Sequence, residues 1–153
     1  MKKRFLLAGL ALALGTGYTL TAFSQVKPDV LVKQRQSAMT LQGKYFGPLG
    51  AMAAGKVPYN AQIVARNAAY LEVLSKMPWD GFDASTQNEK SAALPAVYSE
   101  PAKFKEAQEK FQSAVSRLVA ATKTGDEASV KAAIAEVSKE GCGNCHQNFR
   151  EKR

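Results

Sequence analysis

Histidine occurs once and cysteine twice in this chain of 153 residues. That scarcity excludes several chemistries. A tetrahedral zinc site needs four N or S ligands, and no second Cys or His pair exists to complete one. No catalytic triad and no paired acid–base set is visible, so hydrolytic catalysis is not expected and the chain is not read as an enzyme. Strand signals are poor too: Val, Ile and Thr rarely alternate with polar residues for more than a few positions. Acidic residues are the minority charge, 13 Asp+Glu against 21 Lys+Arg, a net +8. The basic residues are scattered, which argues against nucleic acid as a partner.

What is present is concentrated. Both cysteines and the only histidine lie in the run Cys142-Gly143-Asn144-Cys145-His146. This C-x-x-C-H pattern is the attachment signature of a c-type haem. Two thiols add to the two vinyl groups of the porphyrin, so they must sit a fixed distance apart on one side of a turn. The next residue, His146, can then give the iron a nitrogen. In a helix, positions 142, 145, 146 and 149 share a face. Gly141 and Gly143 cost helix stability, roughly 1 kcal/mol each relative to Ala, and would clear space for a close-lying macrocycle. A redox disulfide is the competing reading of C-x-x-C, but its usual βαβ context is missing.

The amino terminus reads as a secretory signal over residues 1–24. Lys2, Lys3 and Arg4 form its positive start, and the apolar stretch Phe5–Leu14 is too short to span a bilayer. Ala22-Phe23-Ser24 is a small-x-small cleavage site that leaves Gln25 first; cleavage after Ala22 competes with it, and an uncleaved anchor is the third option. The expected mature domain is 25–153, with 18 Lys+Arg against 13 Asp+Glu and a net +5. That charge weakly favours acidic partners. Export to the periplasm with no lasting membrane anchor fits the cysteines, because covalent haem attachment in bacteria occurs outside the cytoplasm.

Four helices are expected along that domain. The first runs from Pro28-Asp29 to about Ala54, ends at Gly55, and should kink or break at Gly47-Pro48. Phe46, Leu49 and Met52 on it fit either core or interface. The second spans about Ala61–Lys76, with Asn60 as N-cap and Pro78 as stop. A long connection follows from Trp79 to about Glu100, which Trp79 and Phe82 should anchor. The third runs from Pro101 to about Lys123, and the fourth from Glu127 to about Glu151 with Asp126 as N-cap. Four amphipathic helices with two short connections and one longer one imply an all-α, antiparallel four-helix bundle with the haem held in its core.

The chain resembles the class II cytochromes c, the cytochrome c′ family, over essentially the whole mature domain. The resemblance rests on Gln25-Val26-Lys27-Pro28-Asp29, Arg35-Gln36-Ser37-Ala38-Met39, Leu74-Ser75-Lys76-Met77-Pro78-Trp79 and the run Cys142 to Arg150. A haem motif near the carboxyl end is its most specific part. The resemblance implies one covalent haem c, with Cys142 and Cys145 as thioether cysteines and His146 as the proximal iron ligand. It implies that Arg35 contacts a haem propionate, that Met39 faces the open side of the iron, that Trp79 and Phe82 lie beside the ring, and that Arg150 lies close to the proximal histidine.

Met39 carries the functional choice. As an apolar lid it leaves a five-coordinate, high-spin iron open to NO or CO; as sixth ligand it makes a low-spin His/Met site suited to electron transfer alone. The Arg35–Ala38 context and the Pro78-Trp79 pair look more like the first. The expectation is a periplasmic electron carrier with an open iron able to bind gases. The alternatives are a purely low-spin carrier and a non-haem helical bundle with a C-x-x-C disulfide. Redox partner proteins follow from the role, and the resemblance makes pairing of two copies through the first two helices plausible.

Overall fold

The computed structural model describes residues 26–152; the signal segment 1–24 lies outside them. The chain forms α1 (Pro28–Ala53), α2 (Ala61–Leu74), two 3₁₀ turns (Asp80–Phe82 and Ala84–Thr86), α3 (Ala96–Ser99), α4 (Pro101–Thr122), α5 (Glu127–Glu136), a π-helical segment (Val137–Gly143) and α6 (Asn144–Phe149). Helices α1, α2, α4 and the composite arm from α5 to α6 make the antiparallel four-helix bundle. Among the described residues β pairing is confined to one antiparallel bridge, Ala93 with Arg150. No described helix is long and apolar enough to cross a membrane.

The helix ends fall where the local chemistry puts them. Pro28 opens α1, where a missing N–H costs nothing. Gly55, at φ +69°, follows its end in the left-handed region. The Asn60 side chain accepts from the Ile63 N–H at 3.0 Å and starts α2. Asp126 accepts from the N–H groups of Ala128 and Ser129, both at 3.2 Å, and starts α5. The Ser129 hydroxyl beside Asp126, together with those N–H bonds, holds its carboxyl below the usual range. The core joins Leu49 and Met52 of α1, Val64 and Leu71 of α2, Val115 and Leu118 of α4, and Val130 and Ile134 of α5.

Two expectations change. Of the kink or break expected at Gly47-Pro48, the break does not occur: α1 continues to Ala53 with Pro48 inside it. Leu49 is fully buried and Met52 nearly so, and that burial outweighs one lost backbone hydrogen bond. The fourth helix is not uniform: π turns replace α turns over Val137–Gly143, and helix ends at Phe149. The two glycines there lie close against the rest of the chain. A Cβ on Gly141 would stand 2.8 Å from the Phe111 ring of α4, and one on Gly143 3.1 Å from the Ser138 carbonyl oxygen. Both absences serve packing of the chain on itself.

Candidate functional site

One end of the bundle encloses a cavity of about 620 Å³. Every residue singled out in the sequence lines it: Arg35 and Met39 from α1, Trp79 and Phe82 from the segment after α2, Cys142 from the π segment, Cys145 and His146 from α6, and Arg150 just beyond. Arg35 and Met39 are four apart and so share the inward face of α1. Further residues line the wall: Gln36, Thr40 and Gly43 from α1, with Phe46, expected as core or interface, and Ser91, Ala92 and Ala93 from the connection. Gln36, Gly43 and Phe46 could have been found by helical spacing from Met39, and Thr40 could not. The segment 91–93 carries no local signal.

The walls are aromatic. Trp79 stacks on Phe82 at 6.2 Å between centroids and meets Phe104 and Phe111 edge-on at 6.0 and 6.4 Å. Phe104 in turn contacts Phe149 at 5.2 Å. Trp79 is fixed because its indole N–H donates to the Ser75 carbonyl at 2.6 Å. The Gln112 side chain donates to that same carbonyl at 3.2 Å, and Gln42 donates to the Leu74 carbonyl at 2.8 Å. The orphan carbonyls at the end of α2 thus tie α1, α4 and the tryptophan together.

Two arginines stand among these rings. Arg35 is buried, and its Nη1 donates to the Gly81 carbonyl at 2.6 Å, Thr86 Oγ1 at 3.0 Å and Tyr98 Oη at 3.2 Å. Its Nη2 donates to Ser91 Oγ at 2.8 Å, and its guanidinium carbon lies 4.4 Å from the centroid of the Phe82 ring. Arg150 is held by its backbone neighbours: Leu94 N–H donates to the Phe149 carbonyl at 3.0 Å, and Glu151 N–H donates to the Ala92 carbonyl at 2.9 Å. Its Nε is buried and has no hydrogen-bond partner.

Both cysteines are free thiols. Burial pushes the Cys142 thiol up; burial, with Cys142 nearby, pushes Cys145 up to about 11. The residues present fit a haem. Two thiols and an imidazole sit along one wall, flat rings supply surfaces for a flat ring, and a buried N–H donor of Arg150 awaits an acceptor.

A family model described as Cytochrome C' matches residues 30–150. The chain belongs to the cytochrome c′ family. It is 45% identical over 127 residues to cytochrome c′ of Rubrivivax gelatinosus, covering 82% of this chain and 98% of that one. The crystal structure of that organism's cytochrome c′ superposes with a TM-score of 0.78 at 44% identity, over 82% of this chain and 98% of that one. A nitric oxide complex of a mutant cytochrome c prime from Alcaligenes xylosoxidans gives 0.76 at 37% identity, over 83% and 98%. Cytochromes c′ carry haem c attached covalently, and haem c is the cofactor of this chain. The alternative of a non-haem bundle with a C-x-x-C disulfide falls with that membership.

Proposed function

We propose that the chain is a periplasmic cytochrome c′ whose haem iron is five-coordinate, carries single electrons and binds small neutral gases such as NO and CO. Bound haem supplies an iron that changes oxidation state by one electron and has an open position for a gas. The chain's residues do the rest. Cys142 and Cys145 hold the ring by thioether bonds, and His146 gives the iron its protein nitrogen. Arg35 and Arg150 offer positive charge and N–H donors to the acidic groups at the ring's edge. Trp79 and Phe82 exclude water, and Met39 covers the remaining side of the cavity as a lid. The observation that carries this reading is the single cavity in which all eight residues meet. The nitric oxide complex of the Alcaligenes relative supports the gas chemistry. A positively charged mature surface suits acidic redox partners.

Visible spectra of Met39→Ala test the lid. The unaltered protein should give a broad reduced spectrum that shifts with carbon monoxide. Met39→Ala should keep that spin state and bind carbon monoxide on the order of tenfold faster, the factor that about 1.4 kcal/mol of relieved crowding supplies. Sharp, split α and β bands that ignore carbon monoxide, converted to high-spin by Met39→Ala, would instead make Met39 the sixth ligand and the chain a pure electron carrier.

Pairing of two copies belongs to the same reading. Leu41 on α1 and Tyr70 and Val73 on α2 are exposed by 41%, 46% and 56%, and Met77 just beyond α2 by 53%. The Tyr45 and Tyr70 rings, 4.8 Å apart, join the two helices into one apolar face. Residues 30–71 contain Lys33, Arg35, Lys44, Lys56 and Arg66 and no Asp or Glu. A pair formed through this face brings like charges together, so salt should tighten it. Sedimentation should show a dimer strengthened at high salt and reduced to monomer by Val73→Lys. A dimer indifferent to Val73→Lys would place the contact elsewhere.

A further inference from the structure

We propose that the π-helical segment Val137–Gly143 is the device that sets the register of the haem-binding residues against the bundle. The inference rests on the assignment of Cys142, Cys145 and His146 as the residues that hold the ring.

The argument begins in α5. Val130, Ala133, Ile134 and Val137 are all buried, which defines the core face of that helix at α spacing. An unbroken α-helix advances about 100° per residue. Continued from Val137 at that rate, Phe149 would point about 120° away from the core face and His146 about 180° away, into solvent. The structure shows otherwise: Phe149 is buried, and His146 lines the cavity. The change occurs in the π segment, where the Asn144 N–H reaches back five residues to the Lys139 carbonyl. A π turn takes about one residue more than an α turn, so everything after it is set back by roughly 100°. That rotation returns Phe149 to the core face and brings Cys145 and His146, which follow the segment, round to where they line the cavity.

The segment is also clamped. Gly141 is buried against Phe111, at a distance that leaves no room for a Cβ. Phe111 in turn contacts the Trp79 ring. The wide turn is therefore pressed onto the same aromatic wall that the ring would face. Spacing inside C-x-x-C-H decides whether haem can be attached. The number of residues in the π segment decides whether the attached ring meets the cavity.

Lys139 suits the test, because its side chain is 85% exposed and lies 3.5 Å from the carboxylate of its exposed neighbour Glu140. Trp79 is the chain's one tryptophan and lines the cavity, so a haem seated there quenches its fluorescence. The full haem-loaded protein should be compared with Lys139→Ala, with deletion of Lys139, and with that deletion combined with one alanine inserted between Val137 and Ser138. Lys139→Ala should stay quenched. The deletion should keep covalent haem by mass while Trp79 emission rises several-fold. The restored residue count should return quenching. A deletion that fails to fold, with the restored chain folded and quenched, supports the same conclusion, since only the count differs. Quenching unchanged in a folded deletion, or emission that stays high in the restored chain, overturns it. Absence of covalent haem from the unaltered protein would refute the attachment assignment instead.

Discussion

Replacing Cys142 and Cys145 together by serine is expected to give a polypeptide whose mass carries no haem and from which acid–acetone removes any pigment. Serine hydroxyls do not add to porphyrin vinyl groups, so both thioether bonds are lost. Each single replacement should leave one bond and retain haem by mass. The bundle should tolerate the change locally, because both thiols are only half-buried and neither is bonded to the other. What is lost is the link between ring and chain. His146 alone would then have to retain the haem, and a single metal–nitrogen bond does not survive protonation of the imidazole in acid. Pigment that stays with the double mutant through acid–acetone would refute the attachment scheme.

Much of the fold was legible because its signals are local. The spacing of Val130, Ile134 and Val137 marks an inner stripe, and Asn60, Asp126 and Gly55 mark ends where the backbone needs an acceptor or a left-handed residue. The misreadings arose where packing overrides local preference. Pro48 should break a helix, but the burial of Leu49 and Met52 beyond it makes a continuous α1 the lower state. The π segment has no local signature at all. Within it Gly141 lies against Phe111, thirty positions away in sequence, a contact that no local pattern announces. The site divides in the same way. C-x-x-C-H is a covalent requirement written in consecutive residues. The hydrogen-bond partners of Arg35 lie 46 to 63 residues away, and only folding brings them together.

Arg35→Ala is expected to be the most destabilising single change near the cavity. The side chain is 3% exposed, and its four hydrogen bonds run to Gly81, Thr86, Ser91 and Tyr98, all in the stretch between α2 and α4. These acceptors are a carbonyl and three hydroxyls, and none is a carboxylate. Gly81 is shaped to the contact: a Cβ there would stand 2.7 Å from the Cβ of Arg35 and 2.9 Å from the Leu31 carbonyl oxygen. Truncation leaves the Gly81 carbonyl buried without its donor, empties the space above Phe82, and unties the stretch from α1. Thr86 keeps its bonds to the Asp83 carbonyl and to Tyr98, so the loss is smaller than four independent bonds. Breaking a buried charged network of this kind costs about 3–5 kcal/mol, roughly 10–20 °C in Tm for a domain of this size. Arg35→Lys should not restore it, because one ammonium cannot reach both the Gly81 carbonyl and Ser91 in the fork geometry the guanidinium provides. Hydrogen exchange separates a local from a global effect. Amides of Thr86 and Glu89 should exchange far faster in Arg35→Ala, while those of Val115 and Leu118 in the core of α4 follow only the drop in overall stability. Full recovery of Tm by lysine would mean that charge alone holds the stretch, and the fork of hydrogen bonds would lose its role.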